Sequence, residues 1–403
     1  MTRLTEQPWL EAAPTLAVMD ALDAAGGAGC ARFVGGCVRN ALLGQPVDDV
    51  DIATTLEPPQ VVAALEAAGL KAVPTGVAHG TITGVAERRP FEITTLRRDV
   101  STDGRNATVA FTTSWEEDAA RRDFRLNALY ADRAGEVFDP TGQGAADCTA
   151  GRIVFVGDPE TRIREDYLRI LRFFRFHAWY GRGEPDVAGL EACRALASGM
   201  ARLSAERISR ELLKLLAAAD PVPAVRAMAD SGVLHQVLPD GADPDALEAM
   251  AALTRDPELR LSVLLPDDPT AVDAALRRLR FANAARERLV ETVREPLPLD
   301  ATDQQVRAAA YRAGVQAARD RLLRAAAKAG GGADPVRERL AVLDGWAAPR
   351  LPIGGKDIAA LGVSPGPETG RLLKAFEDSW IADDFPAEGH QARLEALFSA
   401  GRG

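Results

Sequence analysis

The spacing of apolar positions divides the chain into two regimes. Up to about residue 148 the period switches repeatedly between helix and strand. "TLAVMDALDAAGG" has helical spacing and stops at glycines, and "ARFVGG" then reads as a short strand. "VRNALLG" is a brief helix, "DVDIAT" a strand, and "PPQVVAALEAAG" a helix opened by prolines. "GTITGVAE" and "PFEITTLR" alternate like paired strands, with "ERR" as their turn. The turn-rich "EVFDPTGQGAADCTAG" closes this part. Helices alternating with few strands predict an α/β head, one sheet backed by helices. From about Asp158 the pattern becomes helical. "PETRIREDYLRILRFFRFHAWY" reads as one long helix, "LSAERISRELLKLLAAAD" as another, and alanine- and arginine-rich helices broken by glycine and proline fill the rest. No fixed-period repeat is present.

Composition narrows the setting. At 403 residues with almost half of them apolar, the chain has room for several cores. Cys30, Cys37, Cys148 and Cys193 are widely spaced and form no Cys-x-x-Cys pair, which points away from a disulfide framework and towards a reducing compartment. The first twenty residues are too acidic and broken for a signal peptide, and no apolar run reaches membrane-spanning length. A cytoplasmic protein without membrane contact is expected. The net charge of −10 argues against an indiscriminate RNA-coating surface. Arginine is nonetheless concentrated between residues 152 and 182, and phosphate binding follows the local field.

The candidate chemistry starts at "LLGQPVDDVDIAT". Side chains alternate along a strand, so Asp49 and Asp51 share one face while Val50 and Ile52 take the other. Their Cα atoms would sit roughly 6.5 Å apart, close enough to share a cation. Such a pair repels unless a metal ion offsets it, and an oxygen-only site suits Mg2+. Asp48 has the opposite parity and reads as a turn residue. Just upstream, Gly35 and Gly36 permit close backbone approach at a helix start, and Arg39 offers a charged contact. Glu92, in the later strand, is a third carboxylate whose parity is open until the strand register is known. The four histidines at 79, 177, 235 and 390 form no ligand cluster.

These residues resemble the nucleotidyltransferase superfamily, specifically the bacterial-type (class II) CCA-adding enzymes and the related bacterial poly(A) polymerases. "GGCVRN" at 35–40 is similar to their Gly-Gly-x-Val-Arg-Asp element, with Asn40 in place of Asp, and "DVD" at 49–51 matches their Asp-x-Asp. "RRDFRLNAL" at 121–129 is similar to Arg-Arg-Asp-Phe-Thr-x-Asn-Ala-Leu, with Arg125 where Thr is usual. "EDYLR" at 165–169 matches the Glu-Asp-x-x-Arg element of nucleobase selection, and "LSAERISRELLKLL" resembles the neck helix that follows.

The resemblance implies a polymerase-β-like catalytic head with a mixed sheet over 1–148, a helical neck over 149–220, and an all-α body and tail over 221–403. It implies a two-magnesium transfer of CMP and AMP from CTP and ATP to the tRNA 3′ end, with Asp49 and Asp51 as metal ligands and catalytic residues beside Glu92. Arg121, Arg122 and Asp123 would meet the triphosphate and ribose, and Asn127 would fix local geometry. Asp166 and Arg169, three apart on a helix, would share a face and read the base edge. The polar segment 97–113 is expected to act as a mobile lever in the switch from C to A, so deleting Asp103 to Asn106 should spare C addition and cut A addition. Alternatives are poly(A) addition, partial CC or A addition, and a non-catalytic RNA-binding protein of the same fold.

Overall fold

The computed structural model describes residues 2–103, 106–239, 241, 244–330 and 333–401. They form two compact units, Met1–Val237 and Leu238–Gly403. The first opens with helices α1 (Pro8–Glu11) and α2 (Ala13–Gly26), then strand β1 (Ala31–Val34), helix α3 (Gly36–Leu42), strand β2 (Asp51–Thr54) and helix α4 (Pro58–Ala67). Strands β3 (Lys71–Gly76), β4 (Thr81–Ala86) and β5 (Arg89–Thr95) form a meander, followed by a separate ribbon of β6 (Arg97–Asp103) and β7 (Asn106–Phe111). After helix α5 (Trp115–Ala120), the short strands β8 (Tyr130–Ala131) and β9 (Val137–Phe138) complete a seven-stranded sheet ordered β3-β4-β5-β2-β1-β8-β9.

The sheet is mixed, as expected: β2 runs parallel to β5 and every other neighbouring pair is antiparallel. Its underside is fully apolar at the centre, where Phe33, Ile52 and Ile93 are completely buried. The β4–β5 turn holds Glu87 and Arg88 at φ 49° and 67°, the left-handed pair that a two-residue hairpin requires. The polar segment 97–113 is the β6–β7 ribbon rather than an irregular loop, and two residues at its tip, 104 and 105, within the 103–106 stretch singled out above, lie outside the described residues.

Helices α6 (Gly144–Ala150), α7 (Pro159–Glu165), α8 (Leu168–Tyr180), α9 (Val187–Leu196), α10 (Ala205–Leu216), α11 (Val222–Asp230) and α12 (Val233–Val237) follow in the same unit. One expectation is corrected here. The single long helix from Pro159 is two helices, because Asp166 adopts φ −153° and ψ 106° and interrupts it. After Asp123, Phe124 is extended and bridges Phe155, a 3-10 turn spans Arg125–Asn127, and β8 begins at Tyr130. Phe124 and Leu129 are completely buried. Aromatic packing ties head to neck. The Phe124 ring lies 4.8 Å from Phe155 and 5.2 Å from Phe176, and Phe155 stacks on Phe173 at 5.6 Å.

Among the described residues the second unit is all helical, from Pro244–Leu253 to His390–Ala400. Helix Asp303–Ala313 lies between its two cores, giving Val306 and Ala310 to one and Ala308 to the other. No helix among the described residues is long and apolar enough to cross a membrane.

The neck has one tight glycine. A Cβ on Gly199 would stand 1.8 Å from Cε1 of Tyr167, so the ring at the α7–α8 break depends on that hydrogen. Gly199→Ala should destabilise the protein by about 1–3 kcal/mol, read as a lower urea midpoint with unchanged slope.

Candidate active site

The acidic face is built by strand register. Asp49 precedes β2 rather than lying in it, yet alternation continues through the loop: Val50 is 2 % exposed, whereas Asp49 is exposed and Asp51 half-buried. The parallel pairing sets Asp51 opposite Glu92, which settles the parity of Glu92 on the Asp51 side. Burial first, then Glu92 and Asp49, push the Asp51 carboxyl up to about 6, against the pull of Arg122. Three carboxylates therefore converge, and the most buried of them resists ionisation.

Arg122 is the cation whose charge acts on Asp51. Its Nη1 stands 3.7 Å from where a side chain on Gly35 would begin, and Gly35 itself has φ +71°, which favours glycine. Asp118 anchors that arginine from behind. It accepts from Arg122 Nη2 at 2.8 Å, Arg121 Nε at 2.9 Å and the Tyr130 hydroxyl at 2.8 Å, and is 1 % exposed. Burial would raise its pKa, but Arg122 and Arg121 outweigh it and hold the carboxyl at about 2. Sequence reasoning missed Asp118, although its spacing of three and four from the two arginines was a usable signal.

A second chain of bonds runs beneath. Arg39 is buried and donates to Asn127 Oδ1 at 2.6 Å, to Asn40 Oδ1 at 2.9 Å and to the Tyr180 hydroxyl at 2.8 Å. Asn127 passes its amide to Asp123 Oδ1 at 3.1 Å, and Arg172 Nε reaches Asp123 Oδ2 at 2.7 Å. The Phe124 N–H fills the remaining position at 2.9 Å. Burial opposes ionisation of Asp123, yet Arg172 and Asn127 hold it at about 2. Two readings change accordingly. Asp123 is not a free acceptor for a sugar hydroxyl, because it is buried and each of its oxygens already takes two donors, whereas each Asp166 oxygen takes one, and Arg39 points into the protein's own network rather than outward. Arg125 likewise turns away, to Gln143 at 3.0 Å and the buried Asp147 at 3.3 Å. Arg172 and Tyr180, both on α8, were not singled out from the sequence; only tertiary packing brings them to the head.

Asp166 and Arg169 do not pair with each other. The break at Asp166 lets its Oδ1 cap α8 through Leu168 N–H at 3.1 Å, while Oδ2 takes Arg207 at 2.6 Å. Arg169 binds Glu165 at 2.5 Å, the Arg162 carbonyl at 2.9 Å and the Arg121 carbonyl at 3.2 Å. Each is braced by separate partners, and because Asp166 is extended ahead of α8 the two do not share a helix face as expected.

An oxygen-only donor set with mutual repulsion fits a divalent cation. Among the described residues no three such side chains enclose a site unaided, so an ion there would complete its shell with water and substrate oxygens. A polymerase-β-like mixed sheet carrying such acids defines a metal-dependent nucleotidyltransferase. Residues 31–154 match the family model described as the poly A polymerase head domain, and residues 186–243 match that of a probable RNA and SrmB-binding site of polymerase A. The chain is 35 % identical over 379 residues to the mitochondrial CCA tRNA nucleotidyltransferase 1 of Mus musculus, spanning 89 % of this chain and 84 % of that one. It is 32 % identical over 392 residues to the CCA-adding enzyme of Latilactobacillus sakei, spanning 93 % and 95 %. The crystal structure of the Bacillus stearothermophilus CCA-adding enzyme with CTP superposes with a TM-score of 0.78 at 28 % identity, over 98 % of this chain and 99 % of that one. The chain belongs to the CCA-adding enzyme and poly(A) polymerase family of RNA nucleotidyltransferases.

The raised Asp51 carboxyl has a stability consequence. Its folded pKa of about 6 exceeds the ordinary 3.8, so the metal-free fold loses stability as pH rises through that window, by up to about 3 kcal/mol at neutral pH. Asp51→Asn should therefore raise the melting temperature of the metal-free protein at pH 7.5, narrow the gain towards pH 4, and abolish turnover. A lower melting temperature at pH 7.5 would contradict this.

Proposed function

We propose that the chain completes tRNA 3′ ends, adding C, C and A from CTP and ATP with release of pyrophosphate. The observation that carries this is the Asp49, Asp51 and Glu92 face together with a braced Asp166 and Arg169, beside relatives whose names state CCA addition. Asp49 and Asp51 would hold magnesium, with Glu92 adjoining. When bound, the metal lowers the cost of ionising the RNA 3′-hydroxyl and offsets charge on the triphosphate. The 3′-oxygen attacks the α-phosphorus as the bond to pyrophosphate breaks. Arg122, fixed by Asp118 over Gly35, presents its guanidinium to the triphosphate, and Arg121 supports it. Arg39, Asp123 and Asn127 act as positioning residues for the Gly35–Gly36 turn.

Base choice follows from donor and acceptor order. Cytosine N4–H or adenine N6–H meets the Asp166 carboxylate, and the neighbouring ring nitrogen accepts from Arg169. Guanine and uracil would set oxygen against the carboxylate and N–H against the guanidinium. Each such mismatch costs about 1–3 kcal/mol in a desolvated pocket. We assign the β6–β7 ribbon as the element that couples RNA length to the change from C to A. The four cysteines are buried and free, which suits a reducing compartment, and we assign the cytoplasm.

Magnesium-dependent incorporation of CTP and then ATP into tRNA lacking its last three nucleotides should fall on the order of a thousandfold in Asp49→Ala. Runs of A on a poly(A) primer from the wild type would instead make it a poly(A) polymerase, and no incorporation would leave a binding protein. Asp166→Ala should lower the kcat/KM preference for CTP over UTP by roughly ten- to a hundredfold, a loss that unchanged discrimination would refute.

A further inference from the structure

We infer that the C-terminal halves of helices α8 and α10 carry a single-stranded RNA subsite further along the neck from the base-reading pair, with Trp179 as its stacking platform and Arg210 and Lys214 as its phosphate contacts. This rests on the RNA-elongating reading above and adds where the substrate strand lies.

The two helices run side by side in the same direction. Asp166 pairs with Arg207, Arg175 with Glu211 at 2.6 Å, and Trp179 Nε1 donates to the Lys214 carbonyl at 2.7 Å, so partners advance together along both. On α10, positions 207, 210 and 214 share a face. That face begins at the arginine holding Asp166 and reaches Lys214 about 10 Å further on. Arg207 is committed to Asp166. Arg210 and Lys214 are exposed and have no acidic partner among the described residues. The arginines of α7 and α8 that precede Trp179, Arg162, Arg164, Arg169, Arg172 and Arg175, are by contrast each paired with an acid.

Trp179 closes the strip. It is 45 % exposed, an uncommon state for a ring of that size, whereas Trp9 and Trp380 are buried. Its one donor is spent on the backbone, which fixes the indole against α10 and leaves apolar ring surface in solvent. A stacking surface with cations alongside is what single-stranded RNA takes without regard to sequence. The C-terminal ends of both helices lie here and carry about half a negative charge each. Lys214, in the last turn of α10, and Arg210 each bring a full positive charge, and the Trp179 N–H covers one of the end carbonyls. A folded protein partner could also use an exposed indole, but the strip's origin at the base-reading aspartate favours the strand being extended.

The test is steady-state kinetics at saturating CTP on tRNA lacking its 3′ nucleotides, with anisotropy of the same RNA bound in the absence of nucleotide. Trp179→Ala should raise the RNA KM and Kd roughly five- to tenfold, leaving kcat and the CTP KM unchanged. Trp179→Phe, which keeps a ring but loses the N–H, should stay within about twofold of wild type. Arg210→Ala and Lys214→Ala should each lower the slope of log Kd against log salt by roughly 0.7. Unchanged RNA binding in Trp179→Ala, equal losses in the Ala and Phe variants, or a loss confined to kcat or the CTP KM would each overturn the subsite. A wild type that binds the RNA with the expected variant pattern yet incorporates no nucleotide would overturn the catalytic reading and leave the subsite standing.

Discussion

Parallel pairing of β2 with β5 forces Asp51 to face Glu92 with Asp49 alongside, and partial burial leaves too little water to dilute the repulsion. The arrangement persists because the sheet's other face gives the strands no freedom to slip. Phe33, Ile52 and Ile93 are fully buried there, and a one-residue slip would carry those side chains to the polar face and the acids into the core. Packing energy on one side thus holds electrostatic strain on the other, and it is strain of a sign that a bound cation would relieve.

The fold separates acids that are neutralised by arginine from an acid that is not. Asp118 and Asp123 are more deeply buried than Asp51, yet both are held near 2 because arginines meet them directly. Asp51 has no such partner and moves the opposite way. Buried ion pairs of this kind add little net stability compared with apolar packing, but they fix geometry, since losing either partner strands a charge. Here that geometry is the seat of Arg122 over Gly35 and the clamp of α8 on the head through Arg172 and Tyr180. The sheet and α8 consequently share one network, so the acid face and the segment carrying Asp166 and Arg169 are set relative to each other by side chains, not by backbone alone.

Much of this was legible in the chain. Alternation around Val50 and Ile52 gave the orientation of Asp49 and Asp51, because period-2 geometry is local. Glu92 was not decidable, because its side depends on the register between strands forty residues apart. The break at Asp166 escaped notice since Leu168 to Phe174 continues a strong helical stripe; a carboxylate that caps the next helix offers a competing local bond that propensity does not weigh. Asp123 was misread for a related reason. Its motif marks it as functional, but only the arrival of Arg172, forty-nine residues on, brings each oxygen of this buried carboxylate to two donors. Strands β8 and β9, at two residues each, carry too little periodicity to be seen.

Asn40 shows why a substitution within a motif need not weaken the site. The resembling enzymes place an aspartate there, and an aspartate would bind Arg39 more strongly. Asn40 keeps that contact through Oδ1, at 3.2 Å to Arg39 Nε and 2.9 Å to Nη2, and its amide donates to the Pro46 carbonyl at 2.9 Å. A carboxylate has no hydrogen for that second bond. The loop it ties down runs from Gln45 to Val50 and carries Asp49, the one acid of the trio that no strand constrains. The chain thus gives up a full charge opposite Arg39, whose guanidinium already has Asn127 and Tyr180, and gains a tether for the segment that holds Asp49 close enough to act on the Asp51 carboxyl.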